Sequence, residues 1–138
     1  MVPLPVAGLM SDKRVHLVAG EVEAEGLPFI RPLCLEYPDD PVVLDIDDEY
    51  LFGSDILVAP VFDDSMDSQK RRIYLPEGTW YDFFTDEKIE GPVFIEREVS
   101  IKDMPVFVRE GAVVPRVVVS EETRWTDDLQ NQPWTVHV

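Results

Sequence analysis

Three pairs of neighbouring aspartates are the first residues in this 138-residue chain that could do chemistry: Asp39-Asp40, Asp63-Asp64 and Asp127-Asp128. Two carboxyl groups can open a glycosidic bond with retention when they stand about 5 to 5.5 Å apart on opposite sides of it, one with a raised pKa. Sequence neighbours on a turn diverge and share solvent, so adjacency alone does not give that geometry. Asp39-Asp40 sits between Pro38 and Pro41, which is ordinary turn chemistry. A second cluster, Asp45, Asp47, Asp48 and Glu49, invites a calcium loop. Such a loop needs Gly at its sixth position and Glu at its twelfth, and counting from Asp45 those places hold Tyr50 and Ile56. A solvated acidic loop is the reading that remains.

Other chemistry is thinly represented. Cys34 is the single cysteine and lies between Leu33 and Leu35, which suits a buried small hydrophobe and excludes an intrachain disulfide or thiolate cluster. His16 and His137 lack ligand-pair spacing. There is no Gly-rich phosphate loop and no nucleophile elbow. Trp80, Tyr81, Phe83 and Phe84 could stack on a sugar ring, although alternating aromatics in a strand more often pack as core. No catalytic, metal-ligating or cofactor-binding residue is therefore assigned.

Charge and composition bound the partners. With 28 acidic and 12 basic residues the formal charge is −16, a field that repels phosphate backbones and anionic lipid. Lys70-Arg71-Arg72 is the only basic run. Neither nucleic acid nor a membrane is expected as a partner, and no apolar run approaches the roughly 18 residues of a spanning helix. The opening ten residues contain Pro3 and Pro5 and no basic segment, a poor match to a signal peptide.

Element patterns place these residues on a mainly β scaffold. Residues 1–14 read as a tail and residues 15–25 as a short helix stopped by Gly26. Residues 29–35 form an apolar run that suits a strand buried on both faces, as in a parallel barrel, although Pro32 argues against full pairing. Residues 56–62 are a second such run. Beyond a polar loop at 63–70, short strands are expected at 72–75, 80–85, 93–95, 104–109, 112–115, 117–119 and 134–138. Pro76-Glu77-Gly78 is expected to be a tight turn, and Asp86-Glu87-Lys88 another. Spacing of this kind suits a β-sandwich or part of one. Because the sequence stops inside a strand-like segment, the expectation is of a sheet cut at Val138.

Four ordered stretches resemble glycoside hydrolase family 31, the α-glucosidase and α-xylosidase family. The first is Gly26-Leu27-Pro28-Phe29-Ile30-Arg31-Pro32-Leu33, continued by Leu35-Glu36-Tyr37-Pro38-Asp39-Asp40. Asp48-Glu49-Tyr50-Leu51-Phe52-Gly53-Ser54-Asp55-Ile56-Leu57-Val58-Ala59-Pro60-Val61 resembles the family's late motif. Tyr74-Leu75-Pro76-Glu77-Gly78-Thr79-Trp80-Tyr81-Asp82-Phe83 and Met104-Pro105-Val106-Phe107-Val108-Arg109-Glu110-Gly111-Ala112-Val113-Val114-Pro115 resemble its proximal carboxyl-terminal β-domain.

The resemblance implies residues 17–58 as the end of a (β/α)₈ barrel, short helix plus last strand. Residues 59–138 follow as an incomplete β-sandwich, and residues 1–16 are unmatched. It also implies a retaining mechanism with an aspartate nucleophile and an aspartate acid/base, both upstream of Met1. An α-glucoside or α-xyloside would be bound only by the intact parent. Arg31, Glu36 and Asp55 match motif positions and are expected to be structural. A free-standing carbohydrate-binding or interaction module, motivated by Trp80 to Phe84, is the alternative.

Overall fold

A computed structural model of the protein describes residues 24, 26–62, 69–117 and 134–137. The expected tail, all of the helix over 15–25 except residue 24, Asp63-Asp64, Asp127-Asp128 and most of the strand at 117–119 lie outside the described residues. The chain divides into two compact units, one of Pro28–Glu110 and one of Met1–Leu27 with Gly111–Val138. The described residues are mainly β.

The Pro28–Glu110 unit is built on one six-stranded sheet. Its strands are β1 (Ile30–Arg31), β2 (Tyr50–Phe52), β3 (Ile56–Val58), β4 (Gln69–Asp82), β5 (Lys88–Val99) and β6 (Val106–Arg109). They lie in the order β1-β2-β3-β6-β4-β5, and every neighbouring pair is antiparallel. Within the other unit, β7 (Val114–Val117) pairs antiparallel with β8 (Trp134–His137), Val114 opposite His137.

The expected doubly buried strand over 29–35 is not formed. Only Ile30 and Arg31 are extended, and they pair antiparallel with Phe52 and Leu51. Pro32 has no N–H to give a ladder, and it caps the four-residue helix α1 (Leu33–Glu36). That turn buries Leu33 and leaves Leu35 45% exposed, so the apolar run faces two environments. The following 3-10 turn, Pro41–Asp45, has Pro at its start and the Asp40 side chain accepting from Val42 N–H at 2.9 Å.

The second correction concerns Pro76-Glu77-Gly78. β4 does not turn there but runs on for 14 residues, and the register against β5 shifts between Leu75 and Gly78. The one extra residue on β4 makes a bulge. Trp80 Nε1 donates to the Pro76 carbonyl at 2.9 Å across it. On the facing strand Gly91 comes so close that a Cβ there would stand 2.0 Å from the Pro76 oxygen. This bulge has both a partner for its displaced carbonyl and a facing residue without a side chain.

β5 is longer than the expected strand at 93–95, and its burial alternates along its 12 residues. Lys88, Glu90, Glu96 and Glu98 project from the exposed face, charges that oppose edge-to-edge pairing. The β2–β3 hairpin turns at Gly53, whose φ of 66° lies in the left-handed region. Leu33, Val43, Leu51, Leu57, Ala59, Ile73, Tyr74, Leu75, Trp80 and Phe107 form the core of this unit.

Candidate functional site

The carboxylates that sequence reasoning put forward are held apart by the backbone and by different partners. Asp39 lies exposed on the turn after α1. Asp40, its neighbour, accepts from Val42 N–H with Oδ1 and from the Tyr74 hydroxyl with Oδ2, at 2.9 and 2.6 Å. That second bond and burial together push the Tyr74 phenol up to about 12, burial being the larger cause. A carboxylate committed at both oxygens is a poor general acid or base.

The acidic cluster separates by burial and by partner. Asp45 and Asp47 face solvent. Asp48 pairs with Arg71 through its side chain and accepts from Arg71 Nη2 at its carbonyl, 2.7 Å away. Glu49 is in phase with Leu51, two residues on, and is likewise turned inward, 5% exposed. Its Oε1 accepts from Tyr74 N–H at 2.8 Å. Burial pushes its carboxyl up to about 7, and nearby Asp48 adds to the rise; the Tyr74 N–H and Arg71 oppose it. No group of three or more metal-ligating side chains occurs among the described residues.

Motif residues expected to be structural are tied into the frame. Arg31, fully buried, donates from Nε to the Pro28 carbonyl at 2.9 Å and from Nη1 to Glu36 at 3.0 Å. The ion pair fixes α1 against β1. Asp55 accepts from its neighbour Ser54 at 3.0 Å, and its carbonyl accepts from Arg109 N–H at 2.8 Å. The basic run 70–72 splits like the acidic one, with Arg71 on Asp48 and the Arg72 guanidinium 3.8 Å from the Phe94 ring centroid.

Aromatics 80–84 do not present a common face. Trp80 is 0% exposed and Phe83 is buried, whereas Tyr81 is half-buried and Phe84 is 45% exposed. Phe83 and Phe84 meet edge to face at 5.3 Å. Trp80 belongs to the core and cannot serve as a stacking platform.

Sequence reasoning missed two features. One is the inward Glu49, which its phase with Leu51 could have revealed. The other is Arg109, whose guanidinium lies 5.3 Å from the Tyr37 ring centroid and 5.6 Å from that of Trp80, with Nη2 donating to the Tyr37 hydroxyl. No local signal links residues 72 positions apart.

These features define an antiparallel β-domain in which buried charges and carboxylates fasten loops to strands. Residues 26–114 match the family model described as the glycosyl hydrolase family 31 C-terminal domain, and the chain belongs to that family. It is 42% identical over 102 residues to an α-xylosidase of Saccharolobus solfataricus, covering 73% of this chain and 14% of that protein. Against the human neutral α-glucosidase AB it is 36% identical over 86% of this chain and 12% of the relative. Among solved structures, the Flavobacterium johnsoniae GH31 dextranase superimposes with a TM-score of 0.77 at 31% identity, over 93% of this chain and 15% of that one. The Xanthomonas citri GH31 α-xylosidase gives a TM-score of 0.75 at 37% identity, over 94% and 13%. The chain thus spans about a seventh of the length of these relatives.

Proposed function

We propose that this chain is a carboxyl-terminal portion of a retaining α-glycosidase of the α-glucosidase or α-xylosidase type. Its contribution there is structural, and the catalytic aspartates belong to a barrel upstream of Met1. In this reading residues 17–58 carry the chain from the end of that barrel into the β-domain, and residues 59–138 supply the proximal carboxyl-terminal domain. The observation that carries it is the double engagement of Asp40 by Val42 N–H and the Tyr74 hydroxyl. Asp40, which closes the first motif stretch, is thereby occupied in holding the 3-10 turn to β4, while Asp39 lies exposed.

Family membership supports the glycosidase parentage, and the small share of each relative that is covered supports a division of labour within a longer protein. A free-standing carbohydrate-binding module would need Trp80 to Phe84 as a stacking surface, and the burial of Trp80 and Phe83 weighs against it.

Purified chain incubated with aryl α-glucosides and aryl α-xylosides is expected to give no release of the aryl group above buffer. Turnover that disappears in Asp39→Asn or Asp40→Asn protein would overturn the reading.

A further inference from the structure

β6 covers only one end of β4, pairing with Trp80, Tyr81 and Asp82. The stretch of β4 before the bulge has β5 on one side alone. Tyr74 N–H donates to Glu49 and so points away from β5. Period-two alternation then puts the main-chain groups of Arg72, Tyr74 and Pro76 on this open edge. Side chains satisfy several of them. The Arg72 carbonyl accepts from Arg71 Nη1 at 3.0 Å, the Pro76 carbonyl accepts from Trp80 Nε1 at 2.9 Å, and Pro76 has no N–H to satisfy. The rest comes from the segment between α1 and β2. Asp40 takes the Tyr74 hydroxyl, Asp48 takes Arg71, and Glu49 takes the Tyr74 amide.

We propose that residues 40–49 form a proton-dependent clasp on the open edge of β4, closed while Glu49 is protonated and released when Glu49 ionises. Glu49 Oε2 is buried and has no hydrogen-bond partner among the described residues. An ionised carboxylate in that place carries charge with neither water nor a donor at one oxygen. Among the described residues the charged and titratable groups facing it are Asp48 from its own segment and Arg71 and Tyr74 from β4, with Asp40 beyond the Tyr74 hydroxyl. Asp48 repels the ionised form. Arg71 attracts it weakly, since both of its terminal nitrogens are already placed on Asp48. Release lets Glu49 reach water, so with the buried carboxyl near 7 against 4.5 ordinarily the clasp weakens progressively as pH rises to about 7.

Amide hydrogen exchange on the whole chain tests this, read as protection after correction for the intrinsic base-catalysed rate. Between about pH 5 and pH 8 the Tyr74 amide is expected to lose at least tenfold in protection, a factor of ten being roughly a 1.4 kcal/mol change in opening. The protected amides of β3 and β6 should hold theirs. Glu49→Gln, which keeps an acceptor for Tyr74 but cannot ionise, should keep Tyr74 protection constant across the range. A smaller loss at Tyr74, an equal loss in Glu49→Gln, or a loss shared by β3 and β6 overturns the clasp. A carbon-13 titration of the Glu49 carboxyl needs no variant, and a midpoint below about pH 5.5 overturns it as well.

Discussion

Replacing Gly91 by alanine tests whether the bulge in β4 is set by its facing strand. An added Cβ would stand 2.0 Å from the Pro76 oxygen, 2.8 Å from the Leu75 oxygen and 2.9 Å from the Pro76 carbonyl carbon. All three atoms are backbone, so no flexible side chain can yield. Forcing such a contact apart costs about 1–3 kcal/mol where the surroundings can shift. Moving the Pro76 carbonyl also breaks its bond from buried Trp80 Nε1, which leaves both groups unsatisfied for a further ~1–3 kcal/mol. The expected loss is about 2–6 kcal/mol, a large share of the stability of a small domain. Urea unfolding gives the number, with exposed Glu77→Ala as a control that should stay within about 0.5 kcal/mol. The Trp80 indole N–H resonance should move in Gly91→Ala and stay in the control. A Gly91→Ala protein within about 1 kcal/mol of wild type, its indole resonance unmoved, would refute the link between Gly91, Pro76 and Trp80.

Two further outcomes follow from the same contacts. The Glu49 carboxyl sits at about 7 in the folded chain against 4.5 ordinarily, so the unfolded chain loses its proton first as pH rises. The contribution is therefore intact below about pH 4.5, is lost progressively up to about pH 7 and is constant above; at about 1.4 kcal/mol per tenfold, it amounts to about 3 kcal/mol. Glu49→Gln should match wild type near pH 4 and exceed it in urea midpoint near pH 8, and the reverse order at pH 8 would sink the assignment. Trp80→Phe keeps a ring in the core but removes the donor to buried Pro76, so it should cost about 1–3 kcal/mol by urea unfolding, with no loss pointing to a water at that carbonyl.

Much of the scaffold was legible where the signal is local. Pro32 counts against full pairing of residues 29–35, and the strands expected at 72–75 and 93–95 lie within β4 and β5. The misreadings have long-range causes. Pro76-Glu77-Gly78 has the composition of a turn, and nothing nearby announces that Gly91 will accept the bulge. Residues 29–35 are apolar enough for a strand, but Pro32 removes a ladder donor and the segment after it coils into α1. The acidic cluster was read as solvated throughout. Asp45 and Asp47 are, whereas Glu49 shares the phase of Leu51 and meets the Tyr74 amide 25 residues away.

The charged motif residues are better explained by the sheet than by chemistry. With the order β1-β2-β3-β6-β4-β5, the short β6 leaves main-chain groups of β4 unpaired, and α1 must be held against a two-residue strand. Hydrophobic burial is non-directional and can do neither. Arg31 with Glu36 fixes α1, Asp40 with Tyr74 fixes the 3-10 turn, and Asp48 with Arg71 and Glu49 with Tyr74 N–H cover the edge. Each contact joins residues that a strand or a turn alone would leave apart. Belonging to a hydrolase family does not by itself make any residue catalytic, because function resides in a site and not in a fold. A loss of activity on replacing them in a longer parent should appear as a loss of folded protein, with kcat per folded molecule unchanged.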